Sequence, residues 1–595
     1  MFLGRLSDEV DMTWGLRLGV VLIVAKIATL WPHDIDLSAV MLVTLFAQDL
    51  ATALSFGIIS AITPWRWLTV TLYVGLAAHA TLNTAIALST GSPITPAMFG
   101  AAGGALGDSV AHFVRPRILG PTGLVAIVSV AASVLGRRSR QERVRCSARW
   151  TSVGVAVGLA SIAGAGLWLE PRVDTHGLHR SATWTLIRGL RSPLPTGVPS
   201  IARRGDTEQA LLPECEALHG AAASRNVLLV ILESVCALEL DRVDGESPMP
   251  FLDALSRRSI DASCGYTLYP ESIKGLLPAF ASRAPRMRSE AEDYAFEFPT
   301  LASHFAALGY RTSLYHSGRF DYLGMRSIIE DRGFARLIDA GDVTGVRDSS
   351  FGVDEETMVD RLLSDLGGLA PDERFFTIYM PIAGHHPYAS PPGGPFRGDG
   401  EHSDYLNAIR YADRSIERLV TGLEQRGVLD DTLLVIVGDH GQAFGRHPGN
   451  TGHVFFLYDE NLRVPLMIHA SGITDRSEPR IWTQPISVID LAPTILDLTG
   501  SPPWPGMEGH SLLREPRSRP VHFFTDYSLP LVGIREDQWK LIHDLESGRD
   551  ELFDLSHDPD ERDNLATRHP DVTARLRGAA IEWLSPDCAP VTEQR

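Results

Sequence analysis

Charge is nearly missing from the first 170 residues of this 595-residue chain, which hold 12 Lys+Arg and 9 Asp+Glu, whereas the remainder holds 42 and 63. A basic excess is therefore lacking where a soluble domain would sit, and a formal net charge of -18 excludes nucleic acid as a natural partner, since phosphate backbones require cationic surfaces. Cysteine is scarce too, at five residues. Cys146 sits in a basic loop, and Cys215, Cys236, Cys264 and Cys588 either form two disulfides in an oxidising compartment or stand as four free thiols. No internal repeat or low-complexity tract is present, which excludes solenoid architectures.

Long apolar runs fill the space that charge leaves. Five stretches, near 14–32, 37–62, 67–90, 119–136 and 150–169, are long enough to cross a bilayer as helices. The fourth is short, and the third, with the segment Gly91 to Ile118 after it, has soft borders. Arg137, Arg138, Arg140, Arg143, Arg145 and Arg149 crowd one loop, which the positive-inside rule holds in the cytoplasm. Counting back puts Arg66 and Arg5 inside and His33 to Asp36 outside. The fifth span runs outward, so everything after about residue 170 is expected to be extracytoplasmic. A cleaved signal peptide is rejected for the first span because further spans follow. Lys26 and Asp49 lie within spans, where charged groups either serve function or pair with each other. Residues 171–224 read as a linker in which Trp184 to Leu190 forms a short amphipathic surface helix or a plain tether.

From Asn226 short apolar strands alternate with helical patterns. Asn226 to Leu232, Phe375 to Met380 and Thr432 to Val437 read as buried strands, with helices near 249–258, 298–308, 354–366 and 404–427. That alternation predicts an α/β domain with a largely parallel sheet, and such sheets bind ligands at the carboxyl ends of their strands. A smaller C-terminal α+β subdomain, residues 516–595, is expected to carry an antiparallel pair (Val532 to Arg535, Trp539 to Ile542) and a closing helix near 570–584.

Chemistry concentrates at the strand ends. Glu233 follows the first strand. Asp439 and His440 follow a later one, flanked by Gly438 and Gly441, and add an oxygen and a nitrogen donor suited to zinc or manganese. Ser272 stands at the mouth of a helix starting near Ile273. There it is either an N-cap or a nucleophile, its hydroxyl activated by a metal and its anionic product stabilised by backbone N–H groups. His385 and His453 each follow a strand and could hold anionic substrate oxygens or a second metal. Arg319 offers a forked cation for phosphate or sulfate, or is an ordinary surface arginine.

These residues together resemble the sulfatase domain of the alkaline phosphatase superfamily, especially its lipoteichoic acid synthase and phosphoglycerol transferase branch, over about residues 225–567. The likeness lies in Asn226 to Ser234, Gly438-Asp439-His440-Gly441, His385-His386-Pro387-Tyr388, Arg463-Val464-Pro465-Leu466, and Glu551-Leu552-Phe553-Asp554-Leu555 with Asp558-Pro559, Glu561 and Asn564-Leu565. Five spans ahead of such a domain match that branch. The resemblance implies a divalent metal (Mn, Zn or Mg) held by Glu233, Ser272, Asp439 and His440, with Ser272 as nucleophile and His385 and His453 lining the substrate side. It also implies an inner-membrane enzyme that passes a phosphoryl group from a lipid donor to a glycan or to water. Ser272-Ile-Lys-Gly-Leu lacks the Pro and Arg that accompany formylglycine formation in true sulfatases, and the first strand lacks their paired Asp residues. The C-terminal signature, conversely, is the more typical of sulfatases. A sulfate ester hydrolase, or an inactive relative that binds envelope polymers, are the alternatives.

Overall fold

The computed structural model describes residues 13–32, 37–90, 93–94, 116–138, 147–173, 175–191 and 209–584, the last apart from 263, 288–293, 295–297, 347–351, 399, 475–479 and 517. The outside loop at His33 to Asp36, most of the arginine-rich loop, Cys146 and Cys588 lie outside the described residues.

Among the described residues five helices open the chain: α1 (Thr13–Leu30), α2 (Ala39–Ile62), α3 (Arg66–Thr90), α4 (Pro116–Arg138) and α5 (Ser147–Leu169). They lie where the apolar runs placed them. In four of them a described stretch is long and apolar enough to cross a membrane, which makes this a membrane protein. Small residues let the backbones meet, as helices do where no hydrophobic effect drives them together. A Cβ at Gly166 of α5 would sit 2.5 Å from the Val43 carbonyl of α2.

Lys26 and Asp49 pair with each other across α1 and α2 at 3.4 Å, both buried. Lys26 does more. Its ammonium donates to the carbonyls of Leu178, His179 and Arg180 at 3.2, 3.3 and 2.6 Å. Gln48 accepts from the Ser181 N–H at 2.9 Å and donates to Glu170 at 3.0 Å. The chain leaving α5 is thus clamped onto α1 and α2 before it forms α6 (Ala182–Arg191). Arg180 then reaches Ser528 of the C-terminal region, its Nη2 donating to the Ser528 carbonyl at 3.0 Å.

An eight-stranded sheet forms the middle of the rest. Its strands are β1 (Asn226–Leu232), β2 (Ile260–Ala262), β3 (Arg311–His316), β4 (Arg336–Ile338), β5 (Phe375–Met380), β6 (Thr432–Gly438), β7 (Leu466–His469) and β8 (Arg480–Trp482). The order is β8-β2-β7-β6-β1-β5-β3-β4, and only β7 runs against the others. All seven residues of β1 are buried because both sheet faces are covered. Val227, Leu229 and Ile231 face one core with α7 (Ser272–Ala281), and Leu228, Val230 and Leu232 face the other with α8 (Glu355–Gly367) and α9 (Glu401–Gln425). Leu212, Cys215 and Leu218 join the first core, so residues 209–224 pack with the sheet.

A second sheet, β9 (Val521–Thr525), β10 (Leu531–Glu536), β11 (Trp539–Asp544) and β12 (Asp550–Asp554), is antiparallel throughout, and α10 (Pro570–Leu584) closes it. Sequence pattern found its two central strands and the helix. The flanking pair, shorter in apolar pattern, emerged only with pairing. Cys236 and Cys264 are buried free thiols, against the two-disulfide option.

Candidate metal centre and nucleophile

Register alone brings the first two candidate ligands together. β1 and β6 are adjacent and parallel, with Leu232 opposite Gly438. The next residues, Glu233 and Asp439, therefore leave the sheet side by side. Ser234 takes a left-handed conformation (φ 58°) that turns the chain at once. Its N–H donates to Asp439 Oδ1 at 2.9 Å and its hydroxyl to Glu233 Oε1 at 2.8 Å. Gly384, after β5, lies so close that a Cβ would sit 2.0 Å from the Glu233 carbonyl oxygen.

Glu233, Asp439 and His440 offer ligand atoms all within 4.8 Å of one another. Ser272 enters from α7, its Oγ 3.0 and 3.2 Å from the two Glu233 oxygens and 3.0 Å from His440 Nε2. His440 Nδ1 faces the Gly441 carbonyl at 2.9 Å. A carbonyl only accepts, so Nδ1 carries the proton and the Nε2 lone pair points into the cluster.

The charges in this cluster are poorly matched. Burial raises the Asp439 carboxyl to about 7, offset by N–H donors from Ser234 and His440. Burial and then the charge of Asp439 raise that of Glu233. Asp439 Oδ2 is buried and makes no hydrogen bond. Two buried carboxylates, an imidazole lone pair and a hydroxyl converging on one point fit a divalent cation of the zinc or manganese type.

Around them, His453 stacks on His440 with centroids 4.0 Å apart, and its Nδ1 lies 3.2 Å from Gln442 Oε1. Burial and then the neighbouring His440 hold its imidazole well below the ordinary range. His385 is half-buried, its Nδ1 2.6 Å from the His386 carbonyl, and its ring stands at 84° to that of Tyr322 with centroids 6.3 Å apart. Arg319 is placed differently. It is half-buried after β3, and its guanidinium lies beside Gly341, with no described hydrogen bond to the cluster.

Sequence reasoning passed over four neighbours. Ser234 hydrogen-bonds Glu233 and Asp439, Gln442 faces His453, and a serine or glutamine at a strand end carries no distinctive signal. Tyr322 comes from a short 3-10 turn, and its phenol is pushed up to about 12 by burial and then by Glu271 and Glu233. Glu271 caps α7, where Ser272 itself was weighed as the cap. The helix begins one residue earlier than expected, and the Glu271 carboxylate accepts from Ile273 and Lys274 N–H at 3.0 and 3.1 Å. The amides expected to hold an anion are already taken.

The family model for sulfatases matches residues 225–501, and that for the C-terminal part of N-sulphoglucosamine sulphohydrolase matches residues 453–580. The lipoteichoic acid synthase-like protein YvgJ of Bacillus subtilis (strain 168) is 23% identical over 307 residues, 47% of this chain and 48% of that protein. The choline-sulfatase of Rhizobium meliloti (strain 1021) is 34% identical over 174 residues, 27% of this chain and 32% of that one. The chain therefore spans about half the length, or less, of these curated relatives. Among solved structures, the lipoteichoic acid synthase LtaP from Listeria monocytogenes superposes with a TM-score of 0.50 at 18% identity, covering 63% of this chain and 96% of that chain, a likeness of fold.

Proposed function

Given that the chain belongs to the sulfatase family of the alkaline phosphatase superfamily, we propose that it transfers or hydrolyses a phosphoryl group, of phosphoglycerol type, from an envelope lipid or glycan, through Ser272. Glu233, Ser272, Asp439 and His440 would hold the divalent metal, which when bound supplies Lewis acidity that favours ionised serine and anionic oxygens. The catalytic half, joined by the 171–224 linker to a multi-pass N-terminal domain, would face the extracytoplasmic side of the inner membrane, within reach of lipid head groups.

In the first step the Ser272 Oγ–P bond forms as the bond from phosphorus to the leaving alcohol breaks. The serine proton moves toward Glu233, which the hydroxyl already faces at hydrogen-bond distance. His385 would give the leaving oxygen a proton. In the second step an acceptor hydroxyl of a glycan, or water, would give its proton to His385 as its oxygen bonds to phosphorus, the Ser272 Oγ–P bond breaks, and the proton held at Glu233 returns to Oγ. His453, held neutral and oriented by Gln442, would steady the substrate oxygens. Arg319 would assist only after swinging from its place beside Gly341.

The observation that carries this reading is the Ser272 hydroxyl seated among Glu233 and His440 in a sequence lacking the formylglycine Pro and Arg. Sulfate ester hydrolysis is the second reading, favoured by the C-terminal family match and by the likeness to choline-sulfatase. A mass spectrum of the Ser272 peptide from protein purified from its own membrane decides between them. Unmodified serine, or serine carrying a phosphoryl-type adduct after exposure to lipid, supports phosphoryl transfer. A formylglycine aldehyde establishes the sulfatase reading. Full turnover by Ser272→Ala defeats both.

A further inference from the structure

Glu355 opens α8 and is 1% exposed, a carboxylate that the chemistry at Ser272 does not use. Four donors converge on it. The Ser317 and Tyr379 hydroxyls donate to Oε2 at 2.5 and 2.7 Å. The Ile382 and Ala383 N–H groups donate to Oε1 at 2.7 and 2.8 Å. Among the described residues none of its partners is a cation. A carboxylate buried with no counter-ion is costly and is tolerated only where hydrogen bonds fill its lone pairs. An apolar side chain at this position would leave four donors unmet. Glu355 is therefore a junction, and the segments it joins both lead to the substrate side.

β3 and β5 are adjacent and parallel, with His316 opposite Met380, so both chains leave the sheet side by side. Ser317 starts the loop that carries Arg319. Ile382 starts the turn that ends in His385, whose N–H donates to the Ile382 carbonyl at 2.8 Å. Glu355 pins this turn at its first two amides, and Gly384 lies packed against the Glu233 carbonyl. His385 Nδ1 is 2.6 Å from the His386 carbonyl, which makes Nδ1 the donor there and Nε2 the atom for proton exchange. The imidazole is carried by the turn, so a shift of the turn shifts the ring. We propose that Glu355 is a positioning residue for proton delivery. By tying the turn of residues 382–385 to the ends of β3 and β5, it holds His385 where the leaving oxygen can take its proton. This deepens the proposed function and rests on His385 acting as the acid there. None of the four partners of Glu355 belongs to the metal cluster. Its loss should therefore impair proton delivery while the cluster and Ser272 stay intact.

The test exploits the leaving group, since 4-nitrophenolate departs without a proton and an alkoxide needs one. It uses the full chain in detergent with manganese. Turnover of bis(4-nitrophenyl) phosphate is compared with release of diacylglycerol from phosphatidylglycerol in mixed micelles. A sulfate pair, 4-nitrophenyl sulfate and choline sulfate, is run beside it, and the split is read in the pair that the wild type cleaves. Glu355→Ala should lose about a hundredfold in kcat on the alkyl ester, with KM within about twofold, and under about threefold on the nitrophenyl ester. Bound manganese per chain and circular dichroism should stay at wild-type values. Glu355→Gln keeps one oxygen for the two amides and should show the same split reduced to about fivefold, so it carries the test if the alanine variant does not fold. His385→Ala should reproduce the split, and adding Glu355→Ala to it should cost nothing further. Equal losses on both esters, additive losses in the double variant, or lost manganese overturns the proposal. Failure of the underlying reading looks different. His385→Ala sparing the alkyl ester removes the acid itself, cleavage of the sulfate pair alone removes phosphoryl transfer, and an active Ser272→Ala removes the nucleophile.

Discussion

Removing the Lys540 ammonium should cost more than removing any surface charge, because its surroundings cannot rehydrate the partners it leaves. Lys540 on β11 is fully buried, with Nζ 2.7 Å from Asp459 and 2.6 Å from Glu561. Asp459 also accepts from the Tyr266 hydroxyl at 2.8 Å, and its own N–H donates to Glu561 at 2.6 Å. The cluster ties the C-terminal sheet to the segment that follows His453. In Lys540→Met, Asp459 keeps Tyr266 and the more distant Arg535 at 4.0 Å, whereas Glu561 keeps only an amide. Breaking a buried ion pair from one side costs about 3–5 kcal/mol, and the retained partners place this case near 3 kcal/mol. At about 2 °C per kcal/mol for a large domain, the melting temperature should fall by roughly 6 °C.

The loss should depend on pH. Burial, only partly offset by Lys540, raises the Glu561 carboxyl to about 7. Between the ordinary carboxylate range and about 7, the folded state therefore binds a proton that the unfolded state does not. The Glu561 contribution to stability falls as pH rises through that window. Without Lys540 that pKa moves higher still, so the variant should be more destabilised at pH 8 than at pH 6. Thermal unfolding of Lys540→Met, Glu561→Gln and the double variant at both pH values gives the coupling directly. The double variant should recover about 1 kcal/mol or more at pH 8. A single variant losing under about 1 kcal/mol at pH 8, or losing equally at both pH values, would refute the reasoning.

Two further outcomes follow from the same geometry. Lys26→Met leaves Asp49 and three carbonyls of the 178–180 turn without their cation. It should lower unfolding stability in detergent by about 3 kcal/mol, with part restored by adding Asp49→Asn, and equal melting of single and double variants would contradict the clamp. Gly384→Ala must push a methyl against the Glu233 carbonyl, where a Cβ would sit at 2.0 Å. Chromogenic ester turnover should drop about a hundredfold while circular dichroism stays native, and unimpaired turnover would show that the close approach does not position Glu233.

The membrane helices were legible because a bilayer imposes length and apolarity on a local stretch of chain, and α1 to α5 needed no partner to be recognised. β1, β5 and β6 were legible for a similar reason, since burial on both sheet faces makes an apolar run. The short strands β2, β4 and β8 were not, because three residues carry too little pattern and exist only through pairing. Glu233, Asp439 and His440 stood out as polar residues abruptly ending such runs. That they meet, and that Ser272 meets them, was decided by the parallel register of β1 with β6 and by the packing of α7. The roles of Lys26, Glu271 and Lys540 were decided the same way. Each is an ordinary polar residue in the chain, and its meaning comes from which groups the fold buries beside it, since a charge acquires its energy from its surroundings rather than from its neighbours in sequence.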